Sequence, residues 1–269
     1  MKEFVYSLKC LISKKEFYFS IIGILLINLI HVFLVIHYNS DPNILYETWY
    51  KSEYLYILYN ASVNLNMIII IVFPIVCSTI LSDINFFEKK QRINNLLYTR
   101  LNQKKLIFSR FIIILMTVFL INFLAFLLNY FSLYCIYGSG NALTHFQSPA
   151  FYMISKKFLF LDSLRLSNLH LFLICITAHV SFLLSLLSVL SYSVSFFVKQ
   201  KIMIYVFPFL VLILAEFILP SFNLNTYSIV GQLQPLSAFR IENALILYCV
   251  LLMTSIILLI LGCKKRDLL

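Results

Sequence analysis

The sequence predicts an all-α membrane protein with six transmembrane helices and both termini in the cytoplasm. The first observation behind this fold class is composition. Of the 269 residues, 61% are hydrophobic and 12% are charged, whereas soluble domains are about 45–50% apolar and about 25% charged. The second is that the apolar residues form long continuous blocks, and the third is that basic residues are divided unequally between the segments that separate these blocks. A single soluble domain is therefore excluded.

Six apolar blocks are long enough to cross a hydrocarbon core of about 30 Å as helices. Strands of a transmembrane barrel are excluded because they would alternate apolar and polar residues. We expect one transmembrane domain over residues 1–269, with spans at residues 19–37, 65–81, 111–137, 169–198, 202–219 and 244–262.

The basic residues predict how the chain is oriented. Sixteen of the 21 Lys and Arg residues lie on one side of the expected spans, at residues 1–18, 82–110, 199–201 and 263–269. The positive-inside rule assigns this side to the cytoplasm. The formal net charge of +10 is then a topology signal, and we expect no nucleic-acid partner. The expected location is a bacterial cell membrane.

Residues 1–18 are expected to contain an interfacial amphipathic helix. Apolar residues recur at helical spacing from Met1 to Ile12, while Lys2 and Lys9 fall on another face. Such a helix would lie among the lipid headgroups, with its lysines toward anionic lipid, before the chain enters the first span. The alternative is a short basic flank that only sets the topology.

The expected cytoplasmic segment 82–110 combines charged residues with an apolar helical face. Phe86, Ile93, Leu96 and Leu97 keep helical spacing among the charges. This pattern favours a short helix that docks on another molecule. The alternative is a solvated loop whose charges only satisfy the positive-inside rule.

The order of residues in this segment resembles the membrane subunit of type-2 ABC exporters. That order is an acidic residue, a leucine pair, a turn and a basic start of the next span. Here it is represented by Glu88, by Leu96 and Leu97, by residues 99–103, and by Lys104, Lys105 and Arg110. The chain departs from the family pattern because no glycine follows Glu88 and no proline lies in the turn.

The resemblance implies the permease subunit of an ATP-driven exporter. The chain would form a translocation path with a second copy of itself or a similar permease. The segment 82–110 would be the coupling region, which rests on a separate ABC-type ATP-binding subunit that holds ATP and Mg. The coupling residues would be Phe86, Glu88, Arg92, Ile93, Leu96, Leu97 and Arg100.

We expect no cofactor, no metal and no enzymatic activity in this chain. A phosphate-binding Gly-x-x-x-x-Gly-Lys loop is missing from the sequence, which has only five glycines. The sequence also lacks a His-Glu-x-x-His motif and a Cys-x-x-Cys pair. These absences argue against a nucleotide site, a zinc site and catalytic residues.

Glu216 is the one carboxylate within an expected span, and charged groups at that depth usually face a bundle interior or a water-filled cavity. We therefore assign it to the pathway or outer gate. The alternative is a structural carboxylate that pairs with Arg240 or caps backbone near Pro220. Asn122 and Asn129 in the third span are assigned to the pathway as well, as part of a conduit wall. The alternative is that they take part in helix packing.

The outer segment 220–243 is expected to be re-entrant, and an ordinary surface loop is the alternative. It contains Pro220, Gly231 and Pro235 between apolar stretches. It is too polar to span the membrane and too apolar for a free loop. In the exporter family, re-entrant helices before the last span shape the outer exit.

Four serines, Ser181, Ser185, Ser188 and Ser195, lie along one face of the fourth span. Small hydroxyl residues at this spacing let helices approach closely and form hydrogen bonds, so we assign them to helix packing, with a polar conduit wall as the alternative.

The function that this sequence favours is export of a hydrophobic or amphipathic peptide, antibiotic or lipid-like compound. This cargo class depends on the family resemblance and on the 17 Tyr and 26 Phe residues. Two functions from other classes stay open. They are an intramembrane enzyme and a non-transporting membrane partner, such as an immunity or sensor-associated protein.

Overall fold

The computed structural model of the chain describes residues 2–39, 63–90, 102–137, 168–224, 227–233 and 241–267. Within these ranges the protein is all-helical, and no strand occurs there. The helices are α1 (Lys2–Ile12), α2 (Lys15–Asn39), α3 (Val63–Ser78), α4 (Ile84–Lys90), α5 (Gln103–Tyr137), α6 (Leu169–Val194), α7 (Lys201–Ser221), α8 (Ile229–Leu233) and α9 (Ile241–Asp267).

Five of these helices are long and apolar enough to cross a membrane, and they are α2, α5, α6, α7 and α9. They coincide with the first, third, fourth, fifth and sixth expected spans. A multi-pass helical membrane protein is thus confirmed. Helix α5 begins at Gln103, eight residues before the expected start of its span, because the basic stretch that precedes the apolar block is already helical.

The second expected span, 65–81, overlaps α3. In the described part of the chain α3 has 16 residues, which at 1.5 Å per residue is about 24 Å and less than the hydrocarbon thickness of about 30 Å. It contains Pro74 and ends at Ser78. Turn hydrogen bonds from Thr79 and Ile80 then lead the chain toward α4.

Helix α6 is the centre of the bundle. It packs against α3, α5, α7 and α9, and 78% of its most apolar stretch is buried, compared with 17–39% in the other four spans. Serines on α6 allow this close packing because a small side chain lets neighbouring backbones approach. The outer spans instead expose large apolar side chains such as Leu29, Phe33 and Phe217, as expected of surfaces that face lipid.

Two of the three remaining short helices in the described chain, α1 and α8, pack against the long ones. Helix α1 packs against α5 and is separated from α2 by only Ser13 and Lys14. Helix α8 packs against α3, α6 and α7, after a turn in which Asn223 has a positive φ of 57°. Asparagine tolerates this left-handed conformation better than most residues. The chain after α7 thus returns to the bundle before α9 begins.

Candidate functional site at helix α4

Helix α4 begins immediately after the turn that follows α3. The carbonyl oxygen of Asp83 accepts hydrogen bonds from the backbone N–H groups of Phe86 and Phe87, at 3.0 and 3.2 Å. Leu81 and Ile84 are buried beside this turn. The first turn of α4 is thereby held against the bundle, and this placement directs its polar side chains inward.

The first anchor of α4 is a buried ion pair between Glu88 and Arg110. The guanidinium of Arg110, on α5, donates from Nη1 to Glu88 Oε2 at 2.9 Å and from Nη2 to Glu88 Oε1. Arg110 is fully buried and Glu88 is 6% exposed. The two-pronged geometry matches the planar fork of arginine to a carboxylate and fixes both side chains.

Asn85 extends this first anchor to the end of α6. Its Oδ1 accepts a hydrogen bond from Arg110 Nη1 at 3.3 Å, and its Nδ2 donates to the hydroxyl of Ser195 at 3.1 Å. Asn85 is itself buried. One buried network therefore joins α4 to α5 and to the turn that follows α6.

The second anchor of α4 is the carboxylate of Asp83, whose side chain is fully buried. Its Oδ1 accepts a hydrogen bond from Lys14 Nζ. Its Oδ2 accepts from the hydroxyl of Tyr205 at 2.7 Å and lies 3.3 Å from Lys201 Nζ. Lys201 also donates to Glu16 Oε1 at 3.1 Å. Asp83 thus connects the chain before α4 to the α1–α2 junction and to the start of α7.

The aromatic ring of Phe87 lies close to the same two lysines. Lys14 Nζ is 5.0 Å and Lys201 Nζ is 4.5 Å from the ring centroid, distances at which a cation is attracted to the face of an aromatic ring. This contact strengthens the second anchor without adding a further negative charge.

Helix α1 carries Tyr6, and burial raises the pKa of its hydroxyl. A hydrogen bond with Cys10 raises this pKa further. The two anchors of α4 together involve the α1–α2 junction, the start of α2, α5, the turn after α6, and α7.

Of the seven residues expected to couple the chain to an ATP-binding subunit, two are described. Phe86 is half-buried, and Glu88 points into the bundle toward Arg110. The other five, Arg92, Ile93, Leu96, Leu97 and Arg100, lie outside the described residues. Reasoning from sequence did not identify Asp83, Asn85 and Lys201. The sequence feature that could have pointed to Asp83 is that it and Glu88 are two acidic residues in an otherwise basic segment.

Glu216 belongs to a second polar site, about 22 Å along α7 from Lys201 at 1.5 Å per residue. Its Oε1 accepts hydrogen bonds from the hydroxyl of Ser228 at 2.5 Å and from the backbone N–H of Val230 at 3.2 Å. The Ser228 hydroxyl in turn accepts from the N–H of Gly231 at 2.8 Å. Glu216 therefore caps the start of α8, whereas Arg240, its expected partner in the structural reading, lies outside the described residues, as does Pro235.

His179 joins α8 and α9 to the central helix α6. Its Nε2 lies 2.9 Å from the carbonyl oxygen of Gln232, and its Nδ1 contacts the hydroxyl of Tyr248. Because a carbonyl only accepts, Nε2 carries the proton, and Nδ1 accepts the hydrogen bond from Tyr248. His179 thereby holds both helices, and all three residues lie on the side of the bundle where Glu216 caps α8.

The two candidate pathway asparagines are buried in contacts between helices. The Nδ2 of Asn129 donates to the Oδ1 of Asn28 at 3.2 Å, and Asn129 is also bonded to His31. Asn122 donates to the Sγ of Cys77 at 3.2 Å. These bonds join α5 to α2 and to α3, so in this structure both side chains take part in helix packing. Two further residues were assigned to the outer gate: Pro220 lies in the last turn of α7, and Gly231 lies within α8.

The serines of α6 make different contacts from one another. Ser188 donates to the carbonyl of Cys77 on α3 at 2.9 Å, whereas Ser185 bonds within its own helix to Phe182. Ser181 is fully buried, and its hydroxyl has no hydrogen-bond partner among the described residues. Ser191, which the sequence analysis did not single out, donates to the carbonyl of Ile204 on α7. The strongest packing role therefore belongs to Ser188 and Ser191.

Across the described ranges, no cluster of three or more His, Cys, Asp or Glu residues is suited to hold a metal ion. At α4, buried and partly buried charges neutralise one another. The arrangement links one short helix to α5, to α7, to the end of α6 and to the α1–α2 junction, so its capacity is mechanical. No protein-family model, curated protein or solved structure matches this chain.

Proposed function

We propose that this protein is the permease subunit of an ATP-driven exporter of the ABC type. In this proposal α3 forms the second of six spans, both termini lie in the cytoplasm, and α8 is part of a re-entrant segment at the outer face. Two copies, or this chain with a similar permease, enclose the path. Separate ATP-binding subunits dock beneath residues 82–110 and hold ATP and Mg.

The observation that carries this proposal is the anchoring of α4. A coupling helix has to transmit force from a docked motor into the membrane helices. Glu88 connects α4 to α5 through Arg110, and Asp83 connects it to the α1–α2 junction and α7 through Lys14 and Lys201. Displacement of α4 would therefore move several spans together.

Helix α7 supplies a route from this inner end to the opposite end. Lys201 at its start takes part in the Asp83 anchor, and Glu216 near its end caps α8. Helix α7 is continuous from Lys201 to Ser221, so a movement of its start caused by α4 would be transmitted to α8. In the proposed mechanism this shift opens the outer gate, and no covalent step occurs in this chain.

The burial of Glu88 refines how the motor would dock. Because the carboxylate is engaged by Arg110, its proposed role is to transmit force, and the docking surface consists of Phe86 and the apolar residues that follow. The leucine pair Leu96 and Leu97 is then the centre of the contact with the ATP-binding subunit.

The first test is to purify the tagged chain from its native membranes and identify bound proteins by mass spectrometry. We expect an ABC-type ATPase in stoichiometric amount, and ATP hydrolysis by the complex that rises with a hydrophobic peptide, antibiotic or lipid-like compound. Purified chain that turns over a substrate without any ATPase would instead support an intramembrane enzyme.

The second test examines the docking surface itself. Leu96→Asp combined with Leu97→Asp should abolish binding of the ATPase while the chain still folds. The matched control is Asn94→Asp combined with Asn95→Asp, which adds the same charge two residues earlier and should retain binding. Equal binding by both variants would contradict docking at the leucine pair.

A further inference from the structure

Helix α1 presents three distinct faces. The face with Ser7 and Leu11 is buried against α5. A second face exposes the apolar side chains of Val5 and Ile12, which are 45% and 55% exposed, and Phe4, in the first turn, is 43% exposed. A third face carries the exposed Lys2 and Lys9. Among the described residues the bundle covers the first face and leaves the apolar and basic faces next to each other at the surface.

The position of α1 relative to the spans is determined by two connections. Ile12 ends α1 and Lys15 begins α2, so three Cα–Cα steps limit the gap to about 11 Å. In addition, the Ser7 hydroxyl lies 3.3 Å from the hydroxyl of Ser109. Ser109 is six residues after the start of α5 at Gln103, which is about 9 Å along the helix. Helix α1 is therefore held beside the ends of two membrane-crossing helices.

The exposed apolar face of α1 continues onto the start of α2. Tyr18 and Phe19 are 49% and 72% exposed, and both belong to the apolar stretch of α2 that is suited to cross a membrane. An apolar surface continuous with a lipid-facing span is covered by the same lipid. This continuity favours a lipid surface over an acidic protein as the occupant.

The charges around α1 leave an excess of lysines. Three nearby carboxylates are already engaged within the protein, Glu16 by Lys201, Asp83 by Lys14 and Lys201, and Glu88 by Arg110. Helix α1 itself carries one acidic residue, Glu3, against the three exposed lysines of α1 and the start of α2. The exposed lysines Lys2, Lys9 and Lys15 form no ion pair with any residue of the described ranges.

We infer that α1 and the first turn of α2 form a binding surface for anionic phospholipid headgroups. Phe4, Val5 and Ile12 insert at the boundary between headgroups and acyl chains, and the lysines meet the phosphate groups. The inference depends on the position and charge of α1 alone, so it stands independently of the proposed transport function.

In the test, the full chain is reconstituted in vesicles that contain equal amounts of phosphatidylglycerol and phosphatidylcholine. The protein is then extracted in mild detergent. Retained lipids are counted by native mass spectrometry. We expect phosphatidylglycerol to be enriched several-fold over phosphatidylcholine, and this enrichment to fall as salt is raised from about 0.05 to 0.5 M, because screening weakens exposed charge interactions. The salt series requires no variant and hence no assumption about folding.

A matched pair of triple variants locates the site. Lys2→Gln, Lys9→Gln and Lys15→Gln together should reduce the enrichment at least three-fold. The control, Lys104→Gln, Lys199→Gln and Lys264→Gln, removes the same charge from other exposed lysines and should change it much less. Equal retention of the two lipids by the wild-type chain, or an equal loss in both triple variants, would overturn the inference.

Discussion

Glu88 and Arg110 form a two-pronged ion pair inside the helical bundle, 22 residues apart in the chain and on different helices. Neither side chain has appreciable contact with solvent. The pair converts what looks in sequence like a charged, solvated segment into a fixed part of the bundle. Transferring two charges from water into the bundle costs free energy, and this cost offsets much of the attraction between them. The largest energetic effect is therefore expected when one partner is removed and the other charge stays buried.

Removal of one partner of this pair should be strongly destabilising. Glu88→Leu leaves the Arg110 guanidinium buried without its carboxylate, and breaking a buried pair in this way typically costs about 3–5 kcal/mol. The free energy of unfolding, measured by denaturant titration in mixed micelles, should fall by about this amount. The double variant Glu88→Leu with Arg110→Met should recover most of the loss, because no buried charge remains. If the losses simply add, the two residues are not coupled.

Asp83 should contribute more to the stability of its anchor than its partner Lys201 does. Asp83→Asn removes a fully buried charge that serves Lys14, Lys201 and Tyr205, and hydrogen bonds to charged groups contribute about 1.5–3 kcal/mol each. Lys201→Met removes a cation that is 29% exposed. Ion pairs of solvent-exposed groups contribute about 0–1 kcal/mol to the free energy of unfolding. We expect thermal unfolding to show a clearly larger loss for Asp83→Asn. A larger loss for Lys201→Met would contradict this ranking.

Two glycines provide a matched test of helix packing. A Cβ atom at Gly262, on α9, would lie 2.7 Å from the Cβ of Phe196 in the turn after α6, so Gly262→Ala should push α9 away from this turn and cost about 1–3 kcal/mol. A Cβ at Gly23, on α2, meets no atom within 4 Å. Gly23→Ala should therefore be neutral or stabilising by up to about 1 kcal/mol. Unfolding measurements that rank the two substitutions the other way would refute the close contact of α9 with Phe196.

Substitutions at His179 should loosen α8 and α9 from α6. His179→Phe keeps a ring of similar size but removes the bonds to Gln232 and Tyr248, and interhelical hydrogen bonds in membrane proteins contribute about 0.6 to 1.7 kcal/mol. Hydrogen exchange of residues 229–233 should become faster. Tyr248→Phe, the partial control, should accelerate exchange in α9 with less effect on α8. Unchanged exchange at 229–233 in His179→Phe would show that His179 does not hold α8.

The carboxamide of glutamine can replace much of what Glu216 does in this structure. Its oxygen can still accept from Ser228 and from the N–H of Val230, so Glu216→Gln should leave the protection of α8 almost unchanged. Glu216→Ala leaves these donors without an acceptor and should expose α8 to exchange. In transport assays, loss of activity in Glu216→Gln with intact α8 protection would identify a role beyond capping.

Much of the fold was predictable because the free energy of burying apolar surface in lipid is local and roughly additive along the chain. Long apolar blocks therefore located α2, α5, α6, α7 and α9 to within several residues. The least accurate boundary was the start of α5, where Lys104 and Lys105 interrupt the hydropathy signal but not the helix. Likewise, the N-terminal apolar pattern predicted a helix, while Leu11 proved to face α5 and not the outer apolar surface.

The candidate site was predictable only in part. Glu88 was selected from its place in the segment, but its partner was not, since complementary charge does not specify which of the 21 basic residues lies nearby. The same holds for Asp83 and Lys201, which are 118 residues apart and meet only because α3 and α7 pack together. The assignments of Leu96 and Leu97 stay predictions, because those residues lie outside the described ranges.

The sequence by itself determined that the chain is a helical membrane protein, because hydrophobicity and its continuity depend on nothing beyond neighbouring residues. The tertiary structure alone decided which charges neutralise one another around α4, that Glu216 caps α8, and that α1 presents an uncovered apolar and basic surface. These relationships depend on distances between residues remote in the chain. Such distances follow from how α6 packs its neighbours, and no local pattern of residues encodes them.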